Sequence, residues 1–184
     1  MRISGGYLKG RRINSPDKGP GIRPTTEKVK LAIFSVIGQE FVKGKRVLDL
    51  FSCTGALGLE AISRGALSVV FVEKKYKNCK LIKSNVDALD VTKKSEIKSE
   101  DCNKFLKLTK GGFGLVLMDP PFDIPNWDNL MDEVTKDGII NNSGILVAEH
   151  KSGVELKHQY NNAKRFSHKI YGDSEVSFYE VSND

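Results

Sequence analysis

Two short segments about seventy residues apart hold the side chains with chemistry to do. The first runs Val47-Leu48-Asp49-Leu50-Phe51-Ser52-Cys53-Thr54-Gly55-Ala56-Leu57-Gly58-Leu59-Glu60. It reads as a buried strand carrying one acid, a tight loop, and a helix start where exposed amides and close backbone approach suit a nucleoside. The second is Val116-Leu117-Met118-Asp119-Pro120-Pro121-Phe122. Two consecutive prolines fix the backbone and remove two N–H donors, leaving carbonyls to face outward. Asp119 and the Pro120 carbonyl can then both accept hydrogen bonds from an exocyclic NH₂. Phe122 offers a ring on which a base can stack, a contact worth about 1–3 kcal/mol. A nucleoside grip beside an acceptor pair for a flat amine points to methyl transfer from S-adenosylmethionine (SAM) to nitrogen.

Further acids sharpen the cofactor reading. In a parallel sheet, ligands bind beyond the carboxyl ends of the strands where strand order switches. Asp49 lies near such an end, where a buried carboxylate is costly unless satisfied. It can cap loop amides, meet a cationic cofactor, or do both. Glu73 closes the next apolar run 24 residues after Asp49, the place for an acid that binds both ribose hydroxyls. An NAD-binding dehydrogenase shares that feature. Against it, the loop lacks G-x-G-x-x-G, has Cys53 at its first glycine position, and no later strand presents a hydride-transfer pair. Asp101 either holds an adenine amine or caps the helix that starts at Asn103. Glu149 ends a later strand and can face the cleft. His150, His158 and His168 lack metal-like spacing and read as structural or surface residues, so no metal is expected. Cys53, Cys79 and Cys102 form neither a disulfide framework nor a CxxC knuckle, the pattern of reduced thiols in a cytosolic protein.

These side chains need a frame to position them. Residues 2–13 read as a hairpin turning at Gly5-Gly6, residues 14–24 as loop, and a helix capped by Thr25 or Thr26 runs to Ile37 before Gly38. Strands are expected at 47–51, 68–72, 96–99, 114–118 and 145–149, alternating with helices at 56–64, 75–89, 103–108 and near 127–135. Strands at 164–171 and 176–181 form an antiparallel hairpin at one edge. Such alternation implies a mostly parallel α/β sheet with helices on both faces. We divide the chain into a basic hairpin arm, 1–24, and a main domain, 25–184.

Charge is more informative in distribution than in total. Residues 1–30 hold eight bases against two acids, a net +6 that equals the charge of the whole 184-residue chain. The other 154 residues balance at 21 of each sign. Such an arm fits a polyanion, with Arg11, Arg12, Arg23 and Lys28 as the expected phosphate contacts, which supply affinity rather than sequence choice. The apolar fraction is that of a soluble globular protein. No apolar run nears the roughly 20 residues of a membrane span, and the start of the chain lacks a secretory h-region.

The chain resembles the RsmD-type bacterial small-subunit ribosomal RNA guanine-N2 methyltransferases. The matching stretches are Gly5-Gly6…Gly10-Arg11-Arg12, Arg23-Pro24-Thr25-Thr26-Glu27-Lys28-Val29-Lys30, Leu48–Phe51, Gly55–Ala66, Glu73, Asn85, Asp119-Pro120-Pro121-Phe122, and Tyr171-Gly172…Tyr179-Glu180. The resemblance implies a class I SAM-dependent methyltransferase: a Rossmann-like seven-stranded sheet with a small N-terminal basic hairpin that helps bind RNA. It implies catalysis by Asp119, Pro120 and Phe122, and SAM contacts from Asp49, Phe51, Cys53, Thr54, Gly55, Glu73, Asp101 and Thr25. The implied partner is 16S rRNA in the 30S subunit or its assembly intermediate, met by a cytoplasmic monomer. One departure stands out: Ser52-Cys53-Thr54-Gly55 replaces the family's usual Ala-Gly-Ser-Gly. A non-catalytic assembly factor with a degenerate SAM pocket, or a DNA amine methyltransferase, are the alternatives.

Overall fold

The computed structural model describes residues 1–15 and 27–182. After α1 (Glu27–Ile37) and the short α2 (Gln39–Val42), strands and helices alternate: β1 (Arg46–Leu50), α3 (Ala56–Ser63), β2 (Ser68–Val72), α4 (Tyr76–Ala88), β3 (Ser95–Lys98), α5 (Cys102–Leu108), β4 (Phe113–Met118), α6 (Trp127–Val134) and β5 (Ile140–Lys151). The chain closes with β6 (Gln159–Tyr160), β7 (Ala163–Tyr171) and β8 (Ser174–Val181). The strands form one sheet in the order β3-β2-β1-β4-β5-β8-β7-β6. Strands β1 to β5 pair in parallel, and β8, β7 and β6 add antiparallel.

The near-continuous apolar character of β1, β2 and β4 follows from cover on both faces. Val47, Val69, Phe71, Leu115 and Leu117 point to the side of α1, α3 and α4, while Leu48, Leu50, Val70, Val116 and Met118 point to the side of α5 and α6. Period-2 alternation puts Asp49 on the α3 side with Val47. β1 pairs with β2 on one side and β4 on the other, so the strand order reverses between β1 and β4 and a cleft opens at their carboxyl ends.

Residues 1–15 form a docked strap. Arg2 and Arg12 make one antiparallel bridge, supported by amide bonds from Ile3 to Arg11, Gly10 to Ile3 and Ile13 to Met1. Ile3, Leu8 and Ile13 enter the same core as the sheet. The strap covers α3, and all eight residues of that helix are buried. Gly6 permits the close approach: its φ is +74°, and a Cβ there would stand 1.8 Å from the Ser63 carbonyl oxygen. Burial of Glu60 is matched by charge: Lys30 Nζ lies 3.0 Å away, both groups are fully buried, and Ser4 donates through its amide and hydroxyl. Burial alone would raise the Glu60 carboxyl, but the Ser4 amide and Lys30 outweigh it and hold it below its usual value.

Two features differ from the sequence expectation. Among the described residues eight strands form rather than seven, the two-residue β6 being too short to announce itself by periodicity. β5 begins at Ile140 instead of Ile145, because exposed Asn141, Asn142 and Ser143 hide an early strand start and Ser143 has a left-handed φ of 57°. In the closing hairpin it is β7 that lies outward, while β8 inserts against β5. Among the described residues, no helix is long and apolar enough to cross a membrane.

Candidate active site

The cleft beyond β1 and β4 holds a cavity of about 740 Å³, within the usual range for small-molecule sites. Its walls come from both motifs. Asp49, Phe51, Cys53, Thr54, Glu73 and Asp101 line one part, and Asp119, Pro120, Phe122 and Glu149 another. Ten residues singled out in the sequence thus converge on one space. Gly55 shapes the loop without lining the cavity, starting α3 from a left-handed φ of 77°. Thr25 and Arg23 lie outside the described residues. Arg11, Arg12 and Lys28 are exposed on the strap and α1, away from the cavity walls.

The loop after β1 is held by its own backbone and by two acids. Ser52 donates its amide to the Val72 carbonyl and its hydroxyl to the Asp49 carbonyl. Asp49 Oδ2 accepts the Gly58 amide at 2.9 Å, capping α3. That close packing needs glycine, since a Cβ on Gly58 would meet Phe71 Cε1 at 2.3 Å and Asp49 Oδ2 at 2.9 Å. Glu73 accepts the amides of Cys53 (3.0 Å) and Lys75 (2.8 Å), clamping the loop to the start of α4. A carboxylate has about four acceptor sites, so two remain for a ligand. Asp101 caps α5 through the amides of Asn103 and Lys104 and also lines the cavity.

The electrostatics favour a cationic ligand. Burial pushes the Asp49 carboxyl well above its normal value, with Asp119 and Glu73 adding like-charge repulsion against the opposing Gly58 bond. A positive centre brought between these acids would relieve that repulsion. The same surroundings push the Cys53 thiol to about 11, through burial first and Glu73 second. It is no thiolate nucleophile at neutral pH. Cys53 also sits at a left-handed φ of 50° and Phe51 at 57°, conformations that tax any residue with a Cβ.

Residues to which the sequence reading gave no role also take part. Asn85, buried on α4, accepts the Asn14 amide at 2.7 Å and donates to the carbonyls of Asn14 and Thr54, both at 3.0 Å. One side-chain amide therefore joins the strap to the loop after β1. Lys74, Lys75, Lys77 and Asn78 line the cavity mouth; the run of lysines directly after Glu73 was the available signal. The histidines are less scattered than their spacing implied. His150 and His168 meet Glu175 across β5, β7 and β8, with ligand atoms within 4.8 Å of one another, and His158 stays exposed. These groups are already bonded: His168 to Glu175 at 2.8 Å, His150 to Ser177 at 3.0 Å, and Glu175 to the Ser152 hydroxyl and Gly153 amide.

Comparison with known proteins gives consistent relatives. A family model described as "Conserved hypothetical protein 95" matches residues 1–180. "Putative rRNA methyltransferase YlbH" of Bacillus subtilis is 34% identical over 183 residues, covering 98% of each chain. "Ribosomal RNA small subunit methyltransferase D" of Buchnera aphidicola is 30% identical over 152 residues, 81% of this chain and 78% of that one. Among solved structures, "Putative methyltransferase yhhF" of Escherichia coli superposes with a TM-score of 0.88 at 24% identity, covering 100% of this chain and 99% of its own.

Proposed function

Because this chain belongs to the Conserved hypothetical protein 95 family, we propose that it transfers a methyl group from SAM to the exocyclic N2 amine of a guanine in small-subunit ribosomal RNA. The observation that carries this reading is the single cavity into which Asp49, Glu73 and Asp101 converge with Asp119, Pro120 and Phe122. The names of two relatives, an rRNA methyltransferase and a small-subunit rRNA methyltransferase, supply the substrate class. The substrate form is the 30S subunit or an assembly intermediate in the cytoplasm, where a strap with exposed Arg11 and Arg12 can meet phosphates.

When bound, SAM supplies an electrophilic methyl on a sulfonium centre. Glu73 would hold the ribose with the acceptor sites left by Cys53 and Lys75, Asp101 would take the adenine, and Asp49 would provide negative charge for the methionine end. A guanine inside a helix cannot present N2 to the cleft, so the target is read as flipped or unpaired. Its N2 lone pair is delocalised into the ring and weakly nucleophilic. Hydrogen bonds from the amine to Asp119 and the Pro120 carbonyl localise that pair and aim it, while Phe122 stacks on the base. As the N–C bond forms, the bond from the methyl carbon to the sulfonium sulfur would break with its electron pair left on sulfur, and Asp119 would take the proton released from the amine. The contribution is positioning and electrostatics.

Asp119→Ala tests the assignment: turnover should fall by at least a hundredfold, in line with the loss of a proton acceptor (about 10²–10⁴), with SAM affinity within about twofold of the parent. Substantial residual turnover would remove Asp119 from the mechanism.

A further inference from the structure

We propose that the outer face of α4 is a second RNA-contacting surface, a lysine track that guides the phosphodiester backbone from the strap to the cavity mouth, with Tyr76 as a stacking platform. The inference rests on the RNA substrate argued above. It is carried by a concentration of charge that the fold itself does not require.

Between Glu73 and Asp87 the chain places Lys74, Lys75, Lys77, Lys80 and Lys83 with no acid among them. All five are exposed, in a part of the chain, residues 31–184, whose charges sum to zero. Lys74, Lys75 and Lys77 also stand at the wrong end of their helix. Cations near a helix N-terminus oppose its dipole, yet α4 has no acid in its first turn and its N-cap, Lys75, makes no side-chain capping bond. By contrast, α5 and α6 are capped by Asp101 and Asn126. Glu73 accepts the Lys75 amide there, but three lysines around one acid oppose the dipole and gain nothing in folding. The lysines meet a need outside the fold.

Their placement suits a polyanion. Lys77, Lys80 and Lys83 recur every three residues, steps of about 4.5 Å along the axis, short enough to follow successive phosphates. Lys74, Lys75 and Lys77 reach the cavity rim. At the other end, Asn14 contacts Ser84 and Asn85, and Arg11 donates to the Ala88 carbonyl, so the strap lies along the second half of α4. Arg11, Lys83, Lys80, Lys77 and Lys75 therefore form one basic strip from strap to cavity. Asp87 offsets part of it through a half-exposed pair with Lys83, a kind of bond that yields readily to a phosphate. Tyr76 is 67% exposed, and Lys80 Nζ lies 4.7 Å from its ring centroid. An exposed ring among lysines is the usual platform for unpaired nucleic acid. The occupant is the unpaired RNA strand flanking the target guanine.

The test uses the full chain with Lys80→Gln/Lys83→Gln and, separately, Tyr76→Ala; none of the three residues lines the cavity. RNA affinity is measured across a salt series, with methyl-transfer kinetics and SAM calorimetry alongside. Two lost phosphate contacts should reduce the salt slope by about 1.4 and raise KM for RNA, with kcat and SAM affinity unchanged. Tyr76→Ala should weaken RNA binding roughly tenfold. Lys80→Arg/Lys83→Arg should restore the slope, which a purely structural role would not predict. An unchanged slope and KM in the Gln variant, with the parent methylating RNA, would overturn this inference alone. A parent protein that binds no RNA would overturn the proposed function together with it.

Discussion

Asn85→Leu is the most revealing single change away from the catalytic acids. The native amide is 1% exposed and makes three hydrogen bonds, two to Asn14 and one to the Thr54 carbonyl. Leucine has similar bulk and no polar atom. The two strap bonds are partly buried and Asn14 is exposed, so water can replace them, at about 1 kcal/mol each. The Thr54 carbonyl is buried and would be left unsatisfied, costing about 1–3 kcal/mol more. The total is roughly 3–5 kcal/mol, a large part of the roughly 5–15 kcal/mol that holds a domain of this size together. Urea denaturation measures the loss, and hydrogen exchange at Asn14 and Gly55 shows whether strap and loop loosen together. SAM affinity should fall as well, because the released Thr54 belongs to the cavity wall. A loss below about 0.5 kcal/mol with unchanged exchange at either position would refute the claim that this amide couples them.

Other outcomes follow from the same geometry. Cys53→Gly removes a Cβ held at φ 50°; the left-handed cost of about 1–2 kcal/mol exceeds the added unfolded-state freedom of about 0.4–1 kcal/mol, so the variant should gain stability and bind SAM more tightly. Unchanged or weaker SAM affinity by calorimetry would count against that. Gly58→Ala forces a Cβ to 2.3 Å from Phe71 Cε1 and should cost about 1–3 kcal/mol, read as a lower Tm with weakened SAM binding. Asp49 is held above its unfolded value of 3.8 in the folded chain, so its contribution to stability is complete below that pH and is lost as pH rises toward the folded value. Asp49→Asn should therefore be more stable than the parent at pH 7 and lose that advantage below about pH 4, while binding SAM less well; a parent that is the more stable at pH 7 would contradict this.

Much of the frame was legible because the apolar runs of β1, β2 and β4 are bounded by glycine, lysine or acids, and because α3 and α4 start where such runs end. Asp119-Pro120-Pro121-Phe122 was legible for a different reason, since two prolines leave few backbone conformations. What stayed hidden depends on tertiary neighbours. Nothing in Ala56–Ser63 announces that a strap covers its outer side, so the burial of Glu60 and its pairing with Lys30 were invisible. Asn85 reads as an ordinary polar helix residue until Asn14 and Thr54 arrive beside it. His150, His168 and Glu175 are brought together by the register of three strands, which spacing along the chain does not encode. Asp101 shows why a capping acid and a cavity acid cannot be told apart from sequence: the end of β3 and the start of α5 place one carboxylate both at the helix N-cap and on the cavity wall.

The central claim is tested most directly by offering labelled SAM with 30S subunits lacking the modification, naked 16S rRNA and duplex DNA in parallel, then digesting each product to nucleosides. The account predicts label in N2-methylguanosine from the RNA samples and none from DNA. Label confined to DNA, or no transfer to any of the three by protein that still binds RNA, would contradict it.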